Sequence, residues 1–173
     1  DKVGILGSSA GGHLASTIAT HNDEATRPNF QILFYPVITT DSTFTHMLSR
    51  EDLIGRNAPD SLARLYSNEL QVTEQTPPAF IASSTDDGLV PVRNSLAYYE
   101  ALLDHHVPAA MYLYPVGGHG WYGNDRIKQA LSAHNIKVLD NENVKIKLKG
   151  KDVYIEHWGF NSNNRDYYKS KKY

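Results

Sequence analysis

At 173 residues, 40% hydrophobic and 21% charged, the chain is long enough to bury the core of one domain and too apolar to be disordered throughout. A formal net charge of −2 argues against a nucleic-acid binder, no apolar run approaches membrane-spanning length, and the lack of cysteine excludes thiol catalysis, disulfides and thiolate metal sites. The charge is uneven: residues 135–173 hold nine of the 17 Lys and Arg but only five of the 19 Asp and Glu, a shift that marks a candidate boundary.

Taken in chain order, KVGILG (2–7) reads as a short buried strand and GGHLASTIATH (11–21) as a helix entered through glycines. FQILFYP (30–36) is a second strand, stopped by Pro36. Residues 41–76 are polar and irregular with short helical pieces, such as PDSLARLYS (59–67), where Pro59 suits a first helical turn. PAFIASS (78–84) is a third strand. PVRNSLAYYEALLD (91–104) reads as a helix with Leu96, Tyr99, Ala101 and Leu103 near one side, and AAMYLYP (109–115) as a fourth strand. Strands alternating with helices at this spacing predict parallel βαβ units and an α/β fold. The pattern then changes. Residues 125–134 read as a helix, followed by IKVLD, and NVKIKL and DVYIEHW alternate around Lys149–Lys151 as an antiparallel hairpin with one wet face would. Residues 159–173 are Asn-, Lys- and Tyr-rich and read as a flexible polar tail.

Three loops carry chemistry. Gly7-Ser8-Ser9-Ala10-Gly11 matches G-x-S-x-G with Ser9 at its centre, between a predicted strand and a predicted helix. A serine on such a sharp turn stands clear of the strand end, provided small residues flank it. The N–H of Ala10 and the start of the helix then face the place where an oxyanion would develop. Ser8 is the variable residue and faces away. A pentapeptide of this kind also serves as a plain glycine-rich turn, so the other loops decide. A serine nucleophile needs a histidine to take its proton and a carboxylate to orient the histidine. After the third strand comes Thr85-Asp86-Asp87-Gly88-Leu89-Val90-Pro91, and after the fourth Pro115-Val116-Gly117-Gly118-His119-Gly120. All three loops fall at the carboxyl ends of parallel strands.

The stretches GSSAGGHLA, FYPVIT, TPPAFIASSTDDGLVPVRNSLAYYEAL and YPVGGHGW together resemble the second half of an α/β-hydrolase, and more narrowly the acetyl xylan esterase-like serine esterases. The resemblance covers residues 1–121 and implies Ser9 as nucleophile, His119 as general base, Asp87 as the acid of D-x-x-V-P and the Ala10 N–H in the oxyanion hole. Asp86, one residue out of phase, is the alternative acid. The implied substrate is an acyl ester, such as acetyl groups on xylan or a short oligosaccharide, with no cofactor and no metal. A dipeptidyl-peptidase-like hydrolase shares the order Ser, Asp, His and is the nearest competitor. His13 is expected to be a packing or helix-face residue, and His21, His46, His105, His106 and His134 solvated polar ones. Trp121, Tyr122 and the aromatic residues of 35–66 fit either a sugar-facing cleft or the core.

The resemblance also implies strands ahead of the nucleophile and a His-Gly-Gly loop with a second oxyanion donor. Nothing like them precedes Asp1, so the expectation is an incomplete enzyme, or a fragment completed by a missing N-terminal half. Residues 122–158 do not continue that pattern and are expected to be an extension of different origin. The run from Trp121 to Ile155 weakly resembles a calcineurin-like metallophosphoesterase segment, but Gly118 and Gly120 stand where that motif has its Asn and Asp.

Overall fold

The computed structural model describes residues 3–121, 144–148 and 151–155. The chain divides into two units, 1–121 and 122–173.

In the first unit four strands, β1 (Gly4–Ser8), β2 (Phe30–Phe34), β3 (Ala79–Ser84) and β4 (Ala109–Tyr114), pair in the order β1-β2-β3-β4, all parallel. Helix α1 (Ala10–Thr20) follows β1, short helices α2 (Met47–Ile54) and α3 (Asp60–Leu65) and a 3₁₀ turn (Asn68–Gln71) lie between β2 and β3, and α4 (Arg93–Asp104) links β3 to β4. The α/β prediction for this part of the chain is met. Pro59 is the cap ahead of α3 rather than part of its first turn.

Because side chains alternate along a strand, the register sorts each strand into two sets. Ile5, Gln31, Ala79 and Ala109 are paired neighbours, and so are Gly7, Leu33, Ile81 and Met111. This face is buried beneath α1 and α4, with Ala15, Tyr98 and Leu102 closing one apolar cluster over Leu33 and Ile81. Tyr98 and Gln31 are both fully buried and satisfy each other, the Tyr98 hydroxyl donating to Gln31 Oε1 at 3.0 Å while the Gln31 amide donates to the Pro77 carbonyl. The opposite face carries an aromatic row, Phe34, Phe80 and Tyr112, in successive strands.

The buried side of α4 differs from the expected one. Asn94, Ser95, Tyr98 and Leu102 are buried, Tyr99 and Ala101 pack at the margin, and Leu103 is 48% exposed. Two polar residues take the inner positions because each has a buried partner: Ser95 bonds Ser83 at 2.6 Å, and Asn94 bonds four backbone groups.

In the second unit β5 (Val144–Leu148) and β6 (Lys151–Ile155) form the predicted antiparallel pair. The predicted helix at 125–134, the IKVLD stretch and the tail 159–173 lie outside the described residues. No helix among the described residues is long and apolar enough to cross a membrane.

Candidate active site

Parallel pairing brings the carboxyl ends of β1, β3 and β4 to one edge of the sheet, and each runs straight into one of the three loops. Ser9 is the single residue between β1 and α1. Its backbone sits at φ 55°, ψ −127°, a conformation that side-chain-bearing residues rarely adopt. Such strain persists only where the surroundings over-determine it. Here the Ser9 N–H donates to the Phe34 carbonyl (3.0 Å), and the Ser9 carbonyl accepts from Gly12 (2.9 Å), His13 (3.3 Å) and Val37 (3.0 Å). The expectation that small residues on both sides let the turn close holds on the strand side, at Gly7, and on the helix side moves from Gly11 to Gly12. A Cβ on Gly7 would run into the Gly11 backbone, and one on Gly12 would lie 2.6 Å from Pro36 Cβ, whereas one on Gly11 meets nothing.

The loop after β4 reaches over this turn. Gly118 and Gly120, on either side of His119, take positive φ of 61° and 78°, a conformation glycine adopts without a Cβ penalty. His119 Nε2 lies 2.8 Å from Ser9 Oγ. Its Nδ1 lies 2.7 Å from Asp87 Oδ2, and the other oxygen of Asp87, Oδ1, accepts from the Leu89 and Val90 N–H groups at 2.9 Å each. Asp87 is 8% exposed, so its carboxylate is held on both sides with little help from water. Tyr35, buried and at φ 35°, sets its ring edge-on to the imidazole with centroids 4.8 Å apart.

The three predicted polar residues therefore meet in one hydrogen-bonded line, Ser9–His119–Asp87. Asp86 is outside it and bonds the Gly117 and Gly118 N–H groups instead. Those two bonds hold its carboxyl below the ordinary carboxylate range. Ala10 is the first residue of α1, where a backbone N–H has no intrahelical acceptor. It also borders a cavity of about 380 Å³ walled by His13, Val37, Thr40, Arg50 and Tyr66 among others. Ser8 closes β1 on the sheet face opposite α1.

Chemically, a neutral imidazole that donates from Nδ1 to a carboxylate leaves Nε2 bare to receive the serine proton. Any charge arising on an oxygen near Ala10 would meet the positive end of α1.

Four of the remaining histidines have local partners, and His106 is exposed as expected. His13 is buried, its Nε2 donating to the Tyr66 carbonyl at 2.8 Å, and burial lowers its pKa. His21 and His105 reach backbone carbonyls, and His46 bonds Ser49. Trp121 resolves to the core: it is 4% exposed, donates its indole N–H to Ser84 Oγ at 2.9 Å, and packs against Phe34, Tyr35 and Tyr114. Tyr122 and His134 lie outside the described residues. Two residues that shape the site lie inside stretches that carried the resemblance but were given no role there. Asn94 ties α4 to the Ile38–Thr39 backbone just beyond the elbow's Val37 contact, and Tyr35 backs the imidazole. The only hint for Asn94 was a short polar side chain inside a helical pattern, where it competes with the helix unless it has a partner elsewhere.

Comparison with known proteins agrees with this architecture. The chain is 43% identical over 125 residues to an acetylxylan esterase of Xylanibacter ruminicola, covering 70% of this chain and 26% of that protein. It is 39% identical over 130 residues to endo-1,4-beta-xylanase B of Butyrivibrio fibrisolvens, covering 69% and 20%. Among solved structures, the acetyl ester-xyloside bifunctional hydrolase of Caldicellulosiruptor lactoaceticus superposes with a TM-score of 0.65 at 34% identity, over 78% of this chain and 57% of that one. The chain thus spans about a quarter or less of the two relatives' length. The metallophosphoesterase resemblance of residues 121–155 finds no support in these matches. The sequence pattern of the alpha/beta hydrolase fold runs from residue 1 to residue 123, through all three loops that converge on Ser9. On that match, the chain belongs to the alpha/beta hydrolase family.

Proposed function

We propose that this part of the protein is the nucleophile-bearing portion of a serine carboxylesterase that removes acyl groups, acetyl foremost, from carbohydrate such as xylan. The single observation that carries the reading is the unbroken line from Ser9 Oγ to His119 Nε2 (2.8 Å) and from His119 Nδ1 to Asp87 Oδ2 (2.7 Å). The names of the xylan-active relatives support the substrate class.

In the reaction, Ser9 Oγ attacks the ester carbonyl carbon and His119 Nε2 takes the hydroxyl proton. Asp87 keeps the Nδ1 proton in place and stabilises the imidazolium. The tetrahedral oxyanion faces the Ala10 N–H and the start of α1. Collapse breaks the bond to the sugar oxygen, which leaves with the proton from His119, and an acyl-Ser9 ester remains. Water, deprotonated by His119, then releases the carboxylate and restores Ser9. The cavity that Ala10 borders is assigned to part of the substrate.

The reading takes residues 1–121 as one portion of a larger hydrolase domain whose remaining strands and second oxyanion donor lie outside these residues. Two findings favour it: β1 pairs with β2 alone among the described strands, with Val3 67% and Leu6 40% exposed, and the chain covers 57% of the structural relative. Residues 122–158 are taken as an extension outside this chemistry.

The test is a fluorophosphonate probe followed by peptide mapping, with acetate release from acetylated xylo-oligosaccharide measured alongside. Modification at Ser9 that disappears in His119→Ala is the expected result. Acetate release that survives Ser9→Ala, or modification at another residue, would overturn the reading.

A further inference from the structure

The loop that carries His119 is a poor scaffold by itself. Gly117, Gly118 and Gly120 surround the histidine, and glycine has the most backbone freedom to lose on ordering. Yet the imidazole must be held to within about half an ångström for proton transfer.

What holds it is the loop after β3, which follows the His119 loop residue by residue. The Thr85 N–H donates to the Tyr114 carbonyl (2.8 Å) and its hydroxyl to the Pro115 carbonyl (3.3 Å). Asp86 comes next, its Oδ1 accepting from both Gly117 N–H (2.9 Å) and Gly118 N–H (2.8 Å), with Oδ2 a further 3.2 Å from Gly117 N. Asp87 then meets His119 itself. Three consecutive residues thus fasten three consecutive stretches of the neighbouring loop, and the middle fastening falls on the two glycines before the histidine.

The geometry points to Asp86 as a positioning residue for the reaction: its carboxylate clamps the Gly117–Gly118 backbone and thereby sets His119 in line with Ser9. This rests on the esterase reading above. Asp86 is not among the residues walling the cavity beside Ala10 and touches neither Ser9 nor His119 by any hydrogen bond in the structure. Its removal should therefore slow the chemical step without weakening ligand binding. Because Oδ1 alone accepts both short bonds, an asparagine whose amide oxygen takes that position keeps the clamp.

The experiment uses the full chain with the fluorophosphonate probe, resolving the maximal inactivation rate from the half-saturating probe concentration. The downfield imidazole N–H proton of His119 is followed by NMR in parallel. Asp86→Ala is expected to lower the maximal rate about 100-fold, the size expected for an ångström-scale misplacement. The half-saturating concentration should stay unchanged, and the Nδ1 proton signal should broaden or vanish. Asp86→Asn should recover the signal and bring the rate to within about tenfold of the parent, the remainder reflecting the lost charge assistance. A folded Asp86→Ala protein with the parent's rate and proton signal would overturn the proposal. If Asp86→Ala does not fold, hydrogen exchange in the unsubstituted chain decides: Gly117 and Gly118 amides exchanging at the rate of an open peptide overturn it, and protected ones support it. A parent chain that shows the His119 proton signal but no modification of Ser9 would count against the esterase reading alone, leaving Asp86 to be judged by the proton signal and the exchange.

Discussion

Asp87 and His119 are joined through one carboxylate oxygen only, Oδ2 on Nδ1 at 2.7 Å, because Oδ1 is already engaged by the Leu89 and Val90 N–H groups. That division makes Asp87→Asn a clean tautomer test. The amide oxygen must take the Oδ1 place, which turns the NH₂ group toward Nδ1. The imidazole then carries its proton on Nε2 and cannot accept from Ser9. Modification of Ser9 by fluorophosphonate should slow about 10⁴-fold while the thermal midpoint stays close to the parent's. An Asp87→Asn chain that reacts at the parent rate would show that the carboxylate does not set the tautomer.

The two glycines that bound the pentapeptide should behave in opposite ways. Gly7→Ala pushes a methyl into the Gly11 backbone, which has no side-chain rotamer with which to yield. Overpacking of this kind costs about 1–3 kcal/mol, and the elbow geometry should suffer with it. Gly11→Ala adds its methyl to open space within the first turn of α1 and should be neutral, or stabilising by up to about 1 kcal/mol. Urea midpoints of the two variants against the parent check this. Equal destabilisation would mean that the pentapeptide needs glycine at both ends for the fold itself.

Burial holds the pKa of His13 below the ordinary histidine value, against the opposing effect of its bond to the Tyr66 carbonyl. The sign follows from proton linkage. Below about pH 6.5 the unfolded chain binds a proton at this position that the folded chain resists, so this contribution to stability is complete at pH 7.5 and shrinks as pH falls. Urea midpoints at pH 7.5, 6.5 and 5.5 should decline more steeply for the parent than for His13→Gln, which keeps a donor for the Tyr66 carbonyl but does not titrate. Parallel pH profiles would refute the assignment.

Asn94 should prove costly to replace. Its oxygen accepts from the Ile38 and Thr39 N–H groups (3.0 and 3.2 Å), and its amide donates to the Phe44 and Pro91 carbonyls (2.9 and 3.0 Å). Asn94→Leu matches the volume and strips all four, at about 1–3 kcal/mol for each buried group left unpaired. Asn94→Asp keeps the two acceptor bonds but sets a buried carboxylate oxygen against the Phe44 and Pro91 carbonyls, so it too should fall below the parent. Denaturant unfolding of both variants checks this, and a Leu variant as stable as the parent would remove the polar argument.

Much of the site could be read before any coordinates, for a local reason. Ser9, Asp87 and His119 each sit one to five residues past a strand, and parallel strands carry their trailing loops to one edge whatever the details of packing. The separate tasks of Asp86 and Asp87 could not be read that way. Adjacent residues point in different directions, and which of them meets the imidazole depends on the path of the turn after Ser84. Hydrophobic spacing also misjudged α4. It counted Leu103 inward and passed over Asn94 and Ser95, since a polar side chain is welcome in a core only when its partners, here on the Ile38 backbone and Ser83, are distant in sequence. Helix α2 buries no side chain, so no apolar period marks it.

The Ser9 carbonyl accepts from two residues of its own helix and from Val37, while its N–H answers Phe34. Five letters in a row name the nucleophile, but the object that keeps it bent is made of two stretches of chain lying side by side, 7–13 and 34–37. A transplant of Gly7–Gly11 into another α/β scaffold would carry the serine and leave behind what holds it in its unfavourable conformation. The smallest portable unit of this elbow is a pair of neighbouring strand ends.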